Sequence, residues 1–277
     1  MKIGFHLSIS NGFDRTLREA KRLRCEAVQI FLKNPRSWEQ KEWKDENVAA
    51  FRRLQAEMAV MGHLSYLPNL AKIDEDERNL KGLVHEVRLC EQLGLGRLVV
   101  HLGSRPDREK GITMIAHAIN YVLERHDVEL FLENSSGQGT GIGKDAKELI
   151  SIYERIERKE KIFLCIDTAH LFQAGHNIKI RKVWNQFVND LKAGFGKDKV
   201  GFFHLNDSRT QSGSRIDRHW HIGKGEIGTG FFRLLLNDKR FAHLEGVMET
   251  PKMGNMDKEN MRIMRSLLSP LMSRSFS

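Results

Sequence analysis

Short apolar runs recur along the chain, and segments with helical periodicity separate them. The runs are nearly continuous in apolar residues rather than alternating, which is typical of parallel strands covered on both faces. Their ends lie roughly 25–45 residues apart, the length of one strand–helix unit. The eight runs are KIGFHLS (2–8), AVQIF (27–31), AVMGH (59–63), RLVVH (97–101), VELFLE (128–133), IFLCID (162–167), VGFFHLND (200–207) and HLEGVMET (243–250). The pattern predicts a (β/α)8 TIM barrel, an α/β fold, as a single domain over residues 1–277.

The segments between the runs carry apolar residues at the three- and four-residue spacing of amphipathic helices. In ITMIAHAINYVL the stripe comprises Ile112, Ile115, Ala116, Ile119, Val122 and Leu123. In NLKGLVHEVRLCEQLG it comprises Leu80, Leu83, Val84, Val87 and Cys90. Gly94, which closes that second segment, is predicted to end its helix. No shift in composition and no low-complexity linker divides the chain, which favours one domain.

Composition narrows the class of protein without defining its activity. The chain has 277 residues, with 45 Lys+Arg against 36 Asp+Glu, a formal charge of +9 and a pI near 9.5. This basic excess favours a polyanionic partner. The three cysteines form no CxxC pair, which predicts a reduced, cytoplasmic protein. No apolar run approaches the ~18 residues of a membrane span, so no membrane partner is predicted.

Residues that commonly bind metal ions stand where the predicted strands end. From the third run onward these residues are His63, His101, Glu133, Asp167, His204 and Glu249. Three more follow downstream: His170, Asp217 and His219. The carboxyl ends of all eight strands meet at one mouth of a barrel, so these side chains are expected to converge there. Imidazole nitrogen and carboxylate oxygen are zinc ligands, and nine of them imply two or three ions.

Local spacing supports a shared site. Asp167 and His170 are three residues apart where a strand is predicted to turn into a loop, so both can face the mouth. Asp217 and His219 are two apart, which in an extended loop sends both side chains to the same side. The alternative is a rim of hydrogen-bonded polar residues without metal. Clustered carboxylates would then repel one another unless cations neutralised them.

Seven segments, in order along the chain, resemble the successive signatures of the endonuclease IV family of apurinic/apyrimidinic endonucleases. They are GHLSYLPNL, VVHLGS, LENSSGQG, CIDTAHLFQAGH, FHLNDS, GSRIDRHWHIGKGEIG and METP. The resemblance implies three zinc ions per chain, with Mn²⁺ possible at one site. It implies a first ion on His63, His101 and Glu133, a second on Glu133, Asp167, His204 and Glu249, and a third on His170, Asp217 and His219. It also implies Glu133 and Glu249 as the catalytic carboxylates.

The same resemblance implies duplex DNA with abasic sites as the partner of a monomeric enzyme. Arg36, Tyr66 and Leu67 match positions that penetrate the duplex in the family, and Trp38 lies in the same loop as Arg36. Leu64 and the HLGS turn depart from the family pattern without removing a ligand, and both are expected to alter how DNA approaches the site. The implied reaction is hydrolysis 5′ to an abasic site, leaving a 3′-hydroxyl and a 5′-deoxyribose phosphate, together with removal of 3′-blocking groups.

Two other functions fit parts of the sequence. A metal-dependent sugar isomerase or epimerase of the xylose-isomerase-like barrels would use about four ligands around one or two ions, fewer than occur here. A DNA-binding protein with structural zinc would carry closed, cysteine-rich sites, and this chain has no such cysteine spacing.

Three further interpretations concern residues near the predicted mouth. Cys165 is interpreted as a core residue rather than a ligand. His6 ends the first predicted strand, where it would either support the site or pack in the core. The glycine-rich run 135–144 lacks the pattern of a phosphate-binding P-loop, and Asn134 before it is expected to orient Glu133.

Overall fold

Eight parallel strands close into a barrel in the computed structural model, which describes residues 1–269. Within that range a separate two-stranded hairpin, β8–β9, follows the seventh barrel strand. Neighbouring strands around the barrel run in the order β1-β10-β7-β6-β5-β4-β3-β2. The strands are β1 (Lys2–His6), β2 (Ala27–Phe31), β3 (Ala59–His63), β4 (Arg97–His101), β5 (Glu129–Glu133), β6 (Ile162–Asp167), β7 (Val200–His204), β8 (Asp207–Ser208), β9 (His219–Trp220) and β10 (Glu245–Met248).

Helices surround the barrel and connect its strands. They are α1 (Phe13–Arg22), α2 (Asp45–Glu57), α3 (Arg78–Leu93), α4 (Arg108–Arg125), α5 (Ala146–Glu154), α6 (Thr168–Gln173), α7 (Arg181–Phe195), α8 (Thr229–Leu236) and α9 (Met256–Leu267). Short 3₁₀ turns cover Leu70–Lys72 and Lys159–Lys161. No helix within residues 1–269 is long and apolar enough to cross a membrane.

The predicted (β/α)8 barrel is confirmed, with strands somewhat shorter than the apolar runs. The first run was predicted to reach residue 8 and the seventh residue 207, but β1 ends at His6 and β7 at His204. Asp207 instead begins the hairpin, because its carboxylate accepts hydrogen bonds from backbone amides of a later loop, including Ile227 at 2.9 Å. Residues 270–277, part of the predicted domain, lie outside the described residues.

The predicted helical stripes are buried against the sheet. On α4, Ile115, Ile119 and Val122 are fully buried. Gly94 ends α3 in the left-handed region at φ 67°, as predicted, and its N–H bonds back to the carbonyl of Cys90. The helices and the outer faces of the strands form one large hydrophobic core.

A second, smaller apolar cluster fills the inside of the barrel. Its buried members are Ala27, Met61, Val99, Phe131, Cys165, Phe202 and Val247, one from each of seven strands. Cys165 therefore packs as a core residue, as interpreted from the sequence. On the eighth strand, β1, Gly4 takes the place of a side chain, since a Cβ there would lie 1.6 Å from the carbonyl oxygen of Ala27. Glycine thus lets β1 approach β2 and close the barrel.

Candidate metal centre

A ring of eight polar side chains lies at the carboxyl-end mouth of the barrel. Side chains two apart on a strand point to the same face. Each ring member lies two residues after a position that faces the inside of the barrel, so its own side chain also points inward. The ring comprises His6, Gln29, His63, His101, Glu133, Asp167, His204 and Glu249. Strand register places His101 beside Glu133, and Asp167 beside His204. Six of the nine predicted ligands therefore meet at one rim.

Glu133 occupies the middle of the first group and is buried. Its Oε2 lies 3.0 Å from Nδ1 of His101 and 3.4 Å from Nε2 of His63, while its Oε1 lies 2.9 Å from Nδ1 of His204. Among the described residues, no hydrogen-bond donor with good geometry serves Oε2. The two oxygens thus face different neighbours, and one of them is buried without a partner, which is costly unless a cation occupies the space.

A second group surrounds His204. The ligand atoms of Glu133, Asp167, His204 and Glu249 all lie within 4.8 Å of one another. Nδ1 of His204 is 3.2 Å from Oε2 of Glu249 and 3.7 Å from Oδ2 of Asp167. Three carboxylates and one imidazole therefore converge on a volume the size of a single ion.

The third group forms where the loop before β9 approaches α6. Asp167 is followed by a helix and not by the predicted loop, because its Oδ1 caps α6 by accepting from N–H of His170 at 2.8 Å. This cap places Nε2 of His170 3.3 Å from Oδ2 of Asp217. His219 Nε2 lies 3.3 Å from Oδ2 of Asp167 and 3.7 Å from Oδ1 of Asp217. Asp167 contacts both the second and the third group.

Hydrogen bonds at the outer ring nitrogens turn the histidines toward the cluster. Nδ1 of His63 bonds the carbonyl of Leu64 at 2.7 Å, and Nδ1 of His170 bonds the carbonyl of Asn134 at 2.9 Å. A carbonyl only accepts, so each Nδ1 carries a proton, and Nε2 is the ring nitrogen that faces the cluster. The Nε2 atoms of His170 and His219 are 3.3 Å apart. These orientations fit a divalent cation held by nitrogen and oxygen donors.

The carboxylates of the cluster favour positively charged groups beside them. Burial by itself lowers the pKa of His219, but the neighbouring Asp167 raises it to about 9. The pKa of His170 is likewise lowered by burial and raised well above its usual value by Asp167 and Asp217. Protons and metal ions compete for these nitrogens, so metal binding at the cluster would release protons.

Two buried amides contact the candidate ligands and were not selected from the sequence. Asn206 donates to Oδ2 of Asp167 at 2.7 Å, and its Oδ1 accepts from N–H of Glu249 at 2.7 Å. Gln29 lies between His204 and Glu249, 2.9 Å from each. Each was visible in the sequence as a polar residue within or just after an apolar run, but the residues it contacts are far away in sequence.

Two expectations about supporting residues had different outcomes. For His6 the sequence left a supporting role and core packing open, and the structure shows the former, with Nδ1 at 3.0 Å from Oε1 of Glu249. Asn134 was expected to orient Glu133, and this was wrong. Its amide instead exchanges two hydrogen bonds with the backbone of Asp167, at 2.7 and 3.1 Å, because β5 and β6 lie side by side at this point.

The three predicted DNA-contacting residues lie on two adjacent loops at the mouth. The N–H of Tyr66 bonds the carbonyl of Pro35 at 3.2 Å, which joins the loop of Tyr66 and Leu67 to the loop of Arg36. Tyr66 is 57% exposed, and its ring lies 6.5 Å from the ring of His101. Arg36 is exposed and Leu67 is half-buried. An aromatic ring and a cation therefore stand exposed beside the cluster.

Neighbouring residues of these loops face away from the mouth. Leu64 is fully buried in the hydrophobic core, so its side chain does not lie where DNA would approach. Trp38 packs toward α3, where the guanidinium of Arg78 lies 5.2 Å from its ring. The family difference at Leu64 is thus a difference in packing.

A buried carboxylate anchors the Tyr66 loop from beneath. Glu86 of α3 is fully buried and accepts hydrogen bonds from the N–H of Ser65, at 2.9 Å, and from the hydroxyl of Ser65. Burial raises the pKa of Glu86 above its usual value, and the hydrogen bonds from Ser65 oppose that rise. Ser65 lies between His63 and Tyr66, so Glu86 fixes the loop at the junction between the metal cluster and the exposed ring.

Comparisons with known proteins agree with this geometry. A family profile described as a xylose isomerase-like TIM barrel matches residues 17–267. A probable endonuclease 4 of Chloroflexus aggregans is 38% identical, over 96% of this chain and 98% of that protein. The crystal structure of endonuclease IV from Thermus thermophilus superposes with a TM-score of 0.84 at 32% identity, over 96% of this chain and 98% of that one.

A D-tagatose 3-epimerase-like protein shares the fold at lower identity. Its TM-score is 0.76 at 16% identity, over 100% of both chains. This similarity shows the barrel architecture alone, because unrelated chemistries occur on the same barrel.

Proposed function

The chain belongs to the endonuclease IV family of apurinic/apyrimidinic endonucleases, and from this membership we propose that it hydrolyses the DNA phosphodiester on the 5′ side of an abasic site. The products are a 3′-hydroxyl and a 5′-deoxyribose phosphate. The observation that carries the proposal is the convergence of nine candidate metal ligands beside an exposed Tyr66 and Arg36. A site that only interconverted sugars would need neither the third group of ligands nor these exposed loops.

We assign the nine side chains to three zinc ions. The first takes His63, His101 and Glu133; the second takes Glu133, Asp167, His204 and Glu249; the third takes His170, Asp217 and His219. Two contacts support Glu133 as the bridge, since its Oε2 faces His101 at 3.0 Å and its Oε1 faces His204 at 2.9 Å. Imidazole and carboxylate donors also accept Mn²⁺, which is possible at one site.

In the proposed reaction, water adds to phosphorus while the bond from phosphorus to the 3′-oxygen breaks. Zinc in the cluster supplies Lewis acidity and brings the pKa of water at the site toward neutrality. Glu249 orients the water and receives its proton, because Oε1 is held by Gln29 and His6 while Oε2 faces the cluster. The departing 3′-oxygen takes up a proton to become the hydroxyl. No protein side chain forms a covalent bond with the substrate.

We propose that Arg36, Tyr66 and Leu67 enter the duplex and fill the gap left by the extruded abasic nucleotide. Wedging side chains between bases costs a few kcal/mol of stacking, and a missing base reduces that cost. One chain presents one open mouth, so a monomer acts on each lesion. The same hydrolysis applied to a 3′-terminal phosphoester would remove 3′-blocking groups.

The direct test uses a labelled duplex with one tetrahydrofuran residue, an abasic analogue that cannot undergo β-elimination. We expect zinc-loaded protein to cut it 5′ to the analogue, to leave an end that a polymerase extends, and to lose this activity in chelator. A matched duplex with an intact base serves as the control. If folded, zinc-loaded protein left the abasic duplex whole, the proposal would be wrong, and sugar substrates would be tested next.

A further inference from the structure

Gln29 is a fully buried amide within β2, and hydrogen bonds hold it at both ends. Its Oε1 lies 2.9 Å from Nε2 of His204. Its Nε2 lies 2.9 Å from Oε1 of Glu249 and 2.9 Å from Nδ1 of His6. A buried amide with a partner at each end has one allowed orientation, since the flipped amide would set its oxygen against the carboxylate oxygen of Glu249.

That orientation determines which nitrogen of His204 carries the proton. The Oε1 of Gln29 can only accept, so Nε2 of His204 must donate. A histidine that binds metal must be neutral, and in neutral His204 the Nδ1 atom then presents its lone pair to the cluster, 2.9 Å from Glu133 and 3.2 Å from Glu249. The amide therefore selects the Nδ1 atom as the ligand atom of His204.

The other end of the amide determines which oxygen of Glu249 faces the cluster. Oε1 of Glu249 accepts from Gln29 and lies 3.0 Å from Nδ1 of His6. Oε2 is left to face Nδ1 of His204, with Asn206 at 3.4 Å. One side chain thus orients two candidate ligands that lie 45 residues apart on different strands.

The position of Gln29 in the barrel explains this arrangement. Six of the eight strands supply candidate ligands to the ring, and β1 and β2 supply His6 and Gln29 instead. These two strands follow β10 around the barrel, next to Glu249. The non-ligand part of the ring is therefore adjacent to the carboxylate assigned to orient water.

We propose that Gln29 is a positioning residue, which fixes the tautomer of His204 and the cluster-facing oxygen of Glu249 and thereby sets the metal affinity of the second group. The proposal rests on the proposed function only in assuming that the cluster binds divalent metal. It assigns no chemical step to Gln29 itself.

The first test measures metal content at controlled free zinc, by mass spectrometry, for the wild type, Gln29→Met and Asn79→Leu. Met keeps the length of Gln29 but removes its donors and acceptor. Asn79 is the matched control, because its amide is also buried and bonded at both ends, to N–H of Asn69 at 2.9 Å and to the carbonyl of Lys72 at 3.0 Å. It contacts none of the nine candidate ligands.

We expect Gln29→Met to hold one ion fewer than the wild type, with affinity at that site weakened about 10- to 100-fold. Asn79→Leu should unfold at a lower temperature yet keep its full metal content. Unchanged metal affinity in Gln29→Met, or equal losses in both variants, would overturn the proposal. A wild type that binds no metal would instead contradict the proposed function.

The second test needs no variant. Nitrogen-15 spectra of the zinc-loaded wild type should show His204 with a protonated, slowly exchanging Nε2 and a metal-bound Nδ1. The opposite assignment, Nδ1 protonated and Nε2 bound, would refute the role of Gln29 even if Gln29→Met failed to fold.

Discussion

The inside of the barrel has two layers built by the same strands, and they differ completely in chemistry. The lower layer is apolar, and the upper layer is the polar ring at the mouth. Each lower residue precedes its upper partner by two positions, as in Met61 and His63, or Phe202 and His204. Two residues along a strand, the inward-facing side chain changes from apolar to polar. That step separates the core from the candidate metal site.

The two layers also differ in what they need to be stable. The lower layer is buried and apolar, so packing alone stabilises it. The ring brings carboxylates into a buried space. Burial raises the pKa of Glu133, but the neighbouring imidazoles of His101, His204 and His63 hold it well below its usual value. The lower layer is therefore expected to support the fold, and the ring to support activity when cations are bound.

The largest effect is expected from Glu133→Gln in the ring. The change keeps the size of the side chain but removes the proposed bridging charge, so incision of the abasic duplex should fall by at least about 10³-fold, or 4 kcal/mol. In chelator the variant should still show a cooperative unfolding transition, which establishes that it is folded. Gel-resolved incision rates and urea titrations measure the two quantities. Near-normal incision would show that Glu133 is not a catalytic residue. It would also contradict the view that the ring supports activity while the lower layer supports the fold.

A stability effect of about 3–5 kcal/mol is expected from Phe202→Ala in the lower layer. Phe202 is fully buried, so the substitution leaves a cavity, while His204 keeps its contacts with Gln29 and Glu133. Denaturant unfolding measures the loss, and metal content per folded chain should stay at the wild-type value. If metal affinity fell in step with stability, the two layers would act as one unit.

Glu86→Gln should weaken binding of the abasic-analogue duplex by about tenfold, or 1.4 kcal/mol. One of the two oxygens that accept from Ser65 becomes an NH₂ group, so the Tyr66 loop loses part of its anchor. Fluorescence anisotropy with metal-loaded, non-cleaving protein gives the affinity. Glu91→Gln on the exposed side of the same helix is the control. A matching loss of metal would show that Glu86 acts through His63 rather than through the loop.

The smallest effect is a pH dependence of stability from the same carboxyl group. Burial raises the pKa of Glu86, so the folded protein holds this proton more tightly than the unfolded chain does. Its stabilising contribution is complete below the unfolded pKa, about 4.3, and is lost as pH rises through the folded pKa. In chelator, the unfolding free energy of Glu86→Gln should therefore increase relative to that of the wild type as pH rises from about 4.3 through the folded pKa. A gain in the opposite direction would contradict the buried environment.

The sequence was sufficient to predict the barrel and the gathering of candidate ligands. Both depend on local patterns: an apolar run predicts a strand, and parallel strands bring their carboxyl ends together, so a polar residue at each end predicts a shared rim. His63, His101 and Glu133 were identified in this way. Loop residues such as Asp217 were selected by residue type and by their spacing from His219, and the family resemblance supplied only the grouping of the ligands around each ion.

The supporting contacts could not be predicted, because they join residues that are distant in sequence. Gln29 and Glu249 meet only when the barrel closes, and Glu86 meets Ser65 only when α3 packs against the loop that follows β3. The wrong expectation for Asn134 has the same origin. Its neighbour in sequence is Glu133, but its hydrogen-bond partner is the adjacent strand at Asp167.

Barrel closure also sets when the site can form during protein synthesis. The first strand pairs with the last, Ile3 with Gly246, and the final member of the ring is Glu249. A ribosome adding about 5–20 residues per second needs roughly 10–40 s to pass from His63 to Glu249. During that interval the nascent chain carries candidate metal-ligand histidines but lacks the carboxylate assigned to orient water. The ability to cut DNA would therefore be acquired late, after nearly all of the barrel has been made.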